Sequence, residues 1–114
     1  MPYIQARLTV EANEVQKDEL QSKITEAVAV ALSKPTAYIM TEIEDKCSLY
    51  MAGNKLDKGA YILVRLLGTT TKQACDALTK QICGILNSDF GIDSKNVYIT
   101  YHPEELWGWN NMMF

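Results

Sequence analysis

The chain has 114 residues, of which 47% are hydrophobic and 22% charged, the balance of one globular domain spanning residues 1–114. Its net charge of −3 argues against a nucleic-acid-binding surface, and no apolar run is long enough to span a membrane. Three cysteines and one histidine form no metal-binding spacing, so we expect no metal and no cofactor. Charged residues near the N-terminus replace the apolar core of a signal peptide, which makes the cytoplasm the expected location.

Pro2 directly follows Met1 and opens the first predicted strand, Pro2–Val10. Because proline is small, the initiator methionine is normally removed before it, and the chain would then begin with a secondary amine. Burial or a nearby cation would favour the neutral amine, which is a good base. The alternative is that Pro2 only begins the strand, where its missing N–H costs nothing.

The first half of the chain reads as strand, helix, strand. Asn13 and Gln16 have the spacing of a capping box and predict a helix from about Asn13 to Ser33, which Lys34-Pro35 ends. A second strand is predicted near Ala37–Glu44. A helix between two strands predicts a crossover connection and parallel pairing.

The second half repeats this order after a loop with a short strand near Ser48–Met51. The apolar run Ala60–Leu67 predicts a strand covered on both faces, and a helix follows over Thr70–Leu86 with Thr70 and Gln73 as its capping pair. A turn and a last strand, Asn96–Tyr101, complete it. The fold class is therefore α/β (α+β): two β-α-β repeats form a four-stranded mixed sheet with both helices on one face, plus short edge strands.

The other face of that sheet has no cover within the chain. Tyr3, Leu63 and Tyr98 predict a large exposed apolar patch there, which soluble monomers rarely show. The tail after Pro103 contains two tryptophans and a terminal Phe114, so it should pack on this domain or on a partner. We therefore expect self-association.

Four motifs, in order along the chain, resemble the macrophage migration inhibitory factor (MIF) family of the tautomerase superfamily. They are Pro2 behind Met1, Lys34-Pro35 with Tyr38, Asn96-Val97-Tyr98-Ile99, and Gly108-Trp109-Asn110-Asn111 followed by Phe114. Each motif is weak by itself, whereas their order and spacing are specific. The resemblance implies a homotrimer in which three sheets make a barrel-like core.

The resemblance also implies an activity, the cofactor-free keto–enol tautomerisation of phenylpyruvate-type and dopachrome-type substrates. Pro2 would be the general base. Lys34 would bind the carboxylate of a small aromatic keto acid and lower the pKa of Pro2, although a lysine after a helix also suits the helix dipole. The other substrate-binding positions would be Leu67, Tyr38, Tyr98 and Thr100, with Trp109 and Phe114 at the mouth of the site.

Two of these positions would act across a subunit boundary. Tyr98 and Thr100 match positions that reach the neighbouring subunit's pocket, and Thr100 replaces a frequent asparagine. Leu67 replaces a usual isoleucine and suits a core position equally well. The alternative function is a secreted, cytokine-like signalling ligand, released without a leader and bound by a cell-surface receptor. A third reading is a binding module without chemistry, which a retained Met1 would favour.

Overall fold

The computed structural model describes residues 1–114. The first strand, β1, is Pro2–Leu8, and its alternate residues Ile4, Ala6 and Leu8 are fully buried. Helix α1 spans Glu14–Leu32 and begins with the predicted capping box, in which Asn13 and Gln16 each accept the other's backbone N–H. It ends at Ser33 in a left-handed conformation. Strand β2, Met40–Glu44, then returns parallel to β1.

The second unit is built in the same order. A two-strand hairpin, β3 (Tyr50–Met51) and β4 (Asn54–Lys55), precedes strand β5, Ala60–Leu67. Helix α2 spans Lys72–Phe90, strand β6 spans Val97–Glu104, and β5 pairs parallel with β6. A last hairpin joins β7 (Gly108–Trp109) to β8 (Met112–Met113).

The two units meet at the antiparallel pair β1–β5, which gives a mixed sheet in the order β2-β1-β5-β6. The inward residues of the sheet and the apolar stripes of both helices form one core of 17 buried residues. None of its buried side chains is charged or polar. The predicted four-stranded mixed sheet with two helices and short extra strands is confirmed. No helix in the molecule is both long and apolar enough to cross a bilayer.

Several predicted boundaries were wrong. Residues Thr36–Tyr38 form a short 3-10 turn, so β2 starts later than expected. Thr71, not Thr70, caps α2 by accepting the N–H of Ala74. The helix continues to Phe90 because that side chain packs on the core, and Gly91 ends it at φ 67°.

The last strand is also longer than predicted, because it continues through Pro103 to Glu104. Proline is tolerated there because β6 is the edge of the sheet, where the missing N–H removes no ladder bond.

The open face of the sheet is more polar than predicted. Tyr3 donates to the Glu42 carboxylate, Arg65 forms a 2.7 Å ion pair with Glu104, and Arg7 lies 3.6 Å from Glu44. This face is therefore mixed, because these polar pairs lie beside apolar side chains such as the half-buried Leu63 and the exposed Met40. The exposed aromatic Tyr98 lies at one edge.

Candidate active site

The N-terminus is held where β1 lies beside the end of β5. Pro2 is buried and pairs in register with Leu66. The backbone N–H of Leu67 donates to the carbonyl of Met1 at 3.2 Å. The sheet therefore fixes both Met1 and Pro2, and it sets the position of the terminal amine.

Lys34 reaches this point from the end of α1. The left-handed Ser33 turns the chain out of the helix, and the N–H of Lys34 donates to the carbonyl of Ala29 at 3.0 Å. Its ammonium donates to the carbonyl of Leu67 at 3.4 Å, the residue that also bonds to Met1. The structure thus brings together Pro2, Lys34 and Leu67, three of the predicted site residues.

The surroundings favour a neutral amine at the chain terminus. Burial lowers the pKa of the Met1 amine, and the nearby positive charge of Lys34 lowers the pKa further. Both effects disfavour the protonated form, since one removes solvent and the other adds like-charge repulsion. An amine at this position therefore keeps its lone pair at a lower pH than an exposed amine.

A cavity of 440 Å³ opens beside the N-terminus. Three segments line it, and eight of the ten lining residues are hydrophobic: Met1, Pro2, Tyr3, Ala37, Tyr38, Ile39, Met40, Trp107, Gly108 and Trp109. Lys34 and Leu67 do not line the cavity. The terminal amine therefore lies between this apolar cavity and the Lys34 ammonium. Such an arrangement suits a ligand with an apolar ring and a carboxylate.

Two of the lining residues, Tyr38 and Trp109, form a cluster of aromatic rings with Phe114. Tyr38 and Trp109 meet edge to face with ring centroids 5.6 Å apart, and Phe114 stacks on Trp109 at 6.0 Å. Such pairs hold each other in preferred geometries. The hairpin β7–β8 thereby contacts the 3-10 turn after α1.

A comparison with protein-family models decides the relationship. The model described as macrophage migration inhibitory factor (MIF) matches residues 1–113. The chain belongs to the MIF family. This assignment confirms the resemblance that the four sequence motifs indicated.

Solved structures show the same MIF fold. MIF2 of Leishmania major superposes with a TM-score of 0.92 at 24% identity, covering 100% of this chain and 97% of that one. A MIF homologue from Prochlorococcus marinus has a TM-score of 0.87 at 25% identity, with 98% of both chains covered. The protein Pt0534, solved after inactivation by 2-oxo-3-pentynoate, has a TM-score of 0.81 at 18% identity, with 95% and 91% covered. A comparison with curated protein sequences finds no match.

Two residues that the MIF resemblance assigned to the site lie far from it within one chain. Tyr98 pairs with Tyr61, five residues along β5 from the Leu66 position that faces Pro2, or about 17 Å. Thr100 lies three residues along, about 10 Å away, and its hydroxyl is hydrogen-bonded to Tyr61 (2.6 Å) and His102 (2.9 Å). Neither residue lines the cavity beside Pro2.

Besides Met1, the sequence analysis missed six lining residues: Tyr3, Ala37, Ile39, Met40, Trp107 and Gly108. Most of them lie beside residues that it did identify, since Tyr3 follows Pro2, Ile39 follows Tyr38 and Gly108 precedes Trp109, so adjacency was the available signal. Trp107 had a weaker signal, since a tryptophan two residues before Trp109 only marked the tail as unusually aromatic.

Proposed function

We propose that the protein is a cofactor-free tautomerase of phenylpyruvate-type and dopachrome-type substrates, with Pro2 as general base after removal of Met1. The observation that carries this proposal is the terminal amine, whose pKa is lowered between an apolar cavity and the Lys34 ammonium. Family membership and the fold shared with other MIF proteins support it.

Removal of Met1 would keep the amine in the same surroundings. Consecutive Cα atoms are about 3.8 Å apart, so the amine would move by one residue along β1. Pro2 itself lines the cavity and is fixed by its register with Leu66. The resulting secondary amine is therefore held in one orientation by its own ring and by the sheet.

The proposed reaction transfers one proton and needs no oxidant or reductant. The Pro2 amine removes a proton from the carbon next to the ketone, and the electron pair of that C–H bond forms the carbon–carbon double bond of the enol. The same proton is then delivered to the carbonyl oxygen, which leaves the amine neutral again.

The substrate would lie across the N-terminus. Its carboxylate would bind the Lys34 ammonium, and its aromatic ring would enter the cavity near Tyr38 and Trp109. Leu67 would contact the substrate between them. The carbon next to the ketone, C3, would then lie at the amine, as proton removal by a base requires.

The homotrimer is part of this proposal, because Tyr98 and Thr100 would act in the site of a neighbouring subunit. Their distance from Pro2 within one chain and the 65% exposure of Tyr98 support this arrangement. The unpaired outer edges of β2 and β6 offer strands for pairing between subunits.

The decisive experiment measures exchange of the C3 protons of phenylpyruvate for deuterium, with the wild type and with Pro2→Gly. We expect the variant to lose roughly 10²- to 10⁴-fold in rate, as is typical for a lost general base. A preparation with Met1 retained, verified by intact mass, should be at least as inactive. Undiminished exchange in Pro2→Gly would refute the catalytic role.

A covalent label gives independent evidence on the same amine. The alkyne of 2-oxo-3-pentynoate is conjugated to a ketone, so a neutral amine adds to it without a leaving group. We expect the wild type to gain the mass of one molecule of this acid, located at Pro2 by peptide mapping. Labelling of a lysine instead of Pro2 would argue against a neutral amine at the N-terminus.

A further inference from the structure

Three hydrogen-bonded side chains form a chain on the open face of the sheet. Ile99 and Tyr101 of β6 pack against the core, so the alternate residues of this strand point away from it. The hydroxyl of Thr100 lies 2.6 Å from the hydroxyl of Tyr61 on β5 and 2.9 Å from Nε2 of His102. All three side chains are partly buried. Thr100 is therefore the centre of this chain.

The Thr100 hydroxyl has only one proton to donate, and it has two lone pairs with which to accept. If Nε2 of His102 accepts, the Thr100 proton is used within the chain, and Thr100 can only accept from a ligand. If Nε2 donates and Tyr61 donates as well, both lone pairs are occupied and the Thr100 proton is free. The position of one proton on the imidazole thus decides whether Thr100 can act as a donor.

The surroundings of His102 favour donation from Nε2. Two of the three states of an imidazole, the imidazolium and the Nε2–H tautomer, carry a proton on Nε2. The third state is normally fixed by a hydrogen bond from Nδ1, and Nδ1 of His102 makes none within the chain. The charged neighbours on this face, Arg65 beside His102 in register and Glu104 two residues on, pair with each other at 2.7 Å. The ring is therefore left to Thr100.

We propose that His102 is a positioning residue, which donates from Nε2 to Thr100 and so frees the Thr100 proton for an oxygen of the substrate. This inference rests on the proposed function, because Thr100 would meet the substrate only in the site of a neighbouring subunit. It explains how a threonine can replace the asparagine that is frequent at this position of the family. The amide of asparagine always has N–H groups to donate, whereas the threonine needs a second residue to release its proton.

The state of the ring can be measured directly, because His102 is the only histidine of the chain. We expect the nitrogen NMR spectrum of protein isotope-labelled at histidine to show a proton on Nε2 at neutral pH. Thr100→Val removes the acceptor of that proton, so the Nε2 signal should shift in this variant. A proton on Nδ1 alone would overturn the inference, because Nε2 would then accept from Thr100.

Binding measures the consequence for the ligand, with dissociation constants of phenylpyruvate obtained by isothermal titration calorimetry. Thr100→Val and His102→Phe should each weaken binding by about 3- to 10-fold, the size of one hydrogen bond. The double variant should lose no more than either single variant, since both changes remove the same bond. His102→Gln keeps an N–H donor on a side chain of similar reach and should retain the wild-type affinity. Additive losses, or a His102→Gln variant as weak as His102→Phe, would overturn the inference.

Binding and exchange together separate this inference from the proposed catalysis. The variants are compared at concentrations where light scattering gives each the mass of the wild type. Non-additive losses of affinity without any exchange of the C3 protons would contradict the catalysis and leave the role of His102 standing. Exchange that depends on Pro2, together with additive losses, would leave the catalysis standing and refute the role of His102.

Discussion

Lys34 links the end of α1 to the chemistry proposed at the N-terminus. Its ammonium lies against the carbonyl of Leu67, and its charge adds to burial in lowering the pKa of the terminal amine. In Lys34→Ala the burial remains and the like-charge repulsion is lost. The amine should then hold its proton up to a higher pH.

We therefore expect the pKa of the terminal amine, followed by NMR of an isotope-labelled N-terminal residue, to be higher in Lys34→Ala than in the wild type. Because the neutral amine is the active base, the acid limb of the pH–rate profile should move to higher pH, and KM should rise through loss of the carboxylate contact. Lys80→Ala removes an exposed lysine on α2 that pairs with Asp76, and it should change neither quantity. An unmoved amine pKa in Lys34→Ala would show that burial alone sets the pKa.

At the scale of the element, the start of α1 depends on two reciprocal hydrogen bonds. Asn13 accepts the N–H of Gln16 at 2.8 Å, and the Gln16 side chain accepts the N–H of Asn13 at 2.9 Å. Asn13→Ala removes one acceptor from a helix start and should lower the free energy of unfolding by about 1 kcal/mol. Thermal unfolding measures the difference, and Asn13→Asp, which keeps an acceptor, is the matched control. Equal losses in both variants would show that the cap itself contributes nothing.

The contact between α2 and β6 has a titratable group at its centre. The Tyr101 hydroxyl is hydrogen-bonded to Thr79 at 2.8 Å and donates to the carbonyl of Cys75 at 3.0 Å. Burial raises the pKa of Tyr101 to about 12 from an ordinary value of 10.0, and the bond from Thr79 opposes this rise only in part. The folded protein therefore retains a proton that the unfolded chain loses between these two values.

Stability should consequently fall as the pH rises through this window, because the unfolded state binds fewer protons there than the folded state. Urea unfolding between pH 9 and pH 12 measures the slope, and Tyr101→Phe should flatten it. Tyr50→Phe, which changes a 64% exposed tyrosine on β3, should keep the wild-type slope. A Tyr101→Phe slope that matches the wild type would mean that other groups cause the alkaline loss of stability.

At the scale of the whole molecule, the proposed site is complete only when Tyr98 of one subunit meets Pro2 of another. We expect a homotrimer of three times 12.8 kDa, measured by light scattering on a sizing column. A monodisperse monomer at micromolar concentration would contradict both the trimer and the shared site.

Mixing two inactive variants tests the shared site directly. Pro2→Gly and Tyr98→Ala should each be strongly impaired alone. Subunits exchanged through partial unfolding and refolding would place an intact Pro2 beside an intact Tyr98 in some mixed trimers, so part of the activity should return. As a control, two separate preparations of Pro2→Gly mixed in the same way should stay inactive. Absence of recovery in a mixture proven by mass spectrometry to contain hetero-trimers would refute a site shared by these two residues.

Much of the fold could be read from local patterns in the sequence. The run Ala60–Leu67 predicted β5 with the bounds it has, and the Asn13–Gln16 pair predicted the start of α1. One error fell where several local signals compete, because any of the three adjacent threonines Thr69, Thr70 and Thr71 could cap α2. Phe90 was missed because only its contact with the core keeps the helix going past Asn87.

The sequence by itself determined the order of the elements and the family. It also singled out Pro2 behind Met1, because periodicity, caps and motifs can each be recognised within a few residues. The tertiary structure alone decided that β1 lies beside β5, and this pairing places the terminal amine at Leu67 and within reach of Lys34. It also decided that Trp107 lines the cavity and that Arg65 and Glu104 form an ion pair on the open face. These contacts join residues tens of positions apart, and the packing of the whole sheet, which no local pattern encodes, sets their geometry.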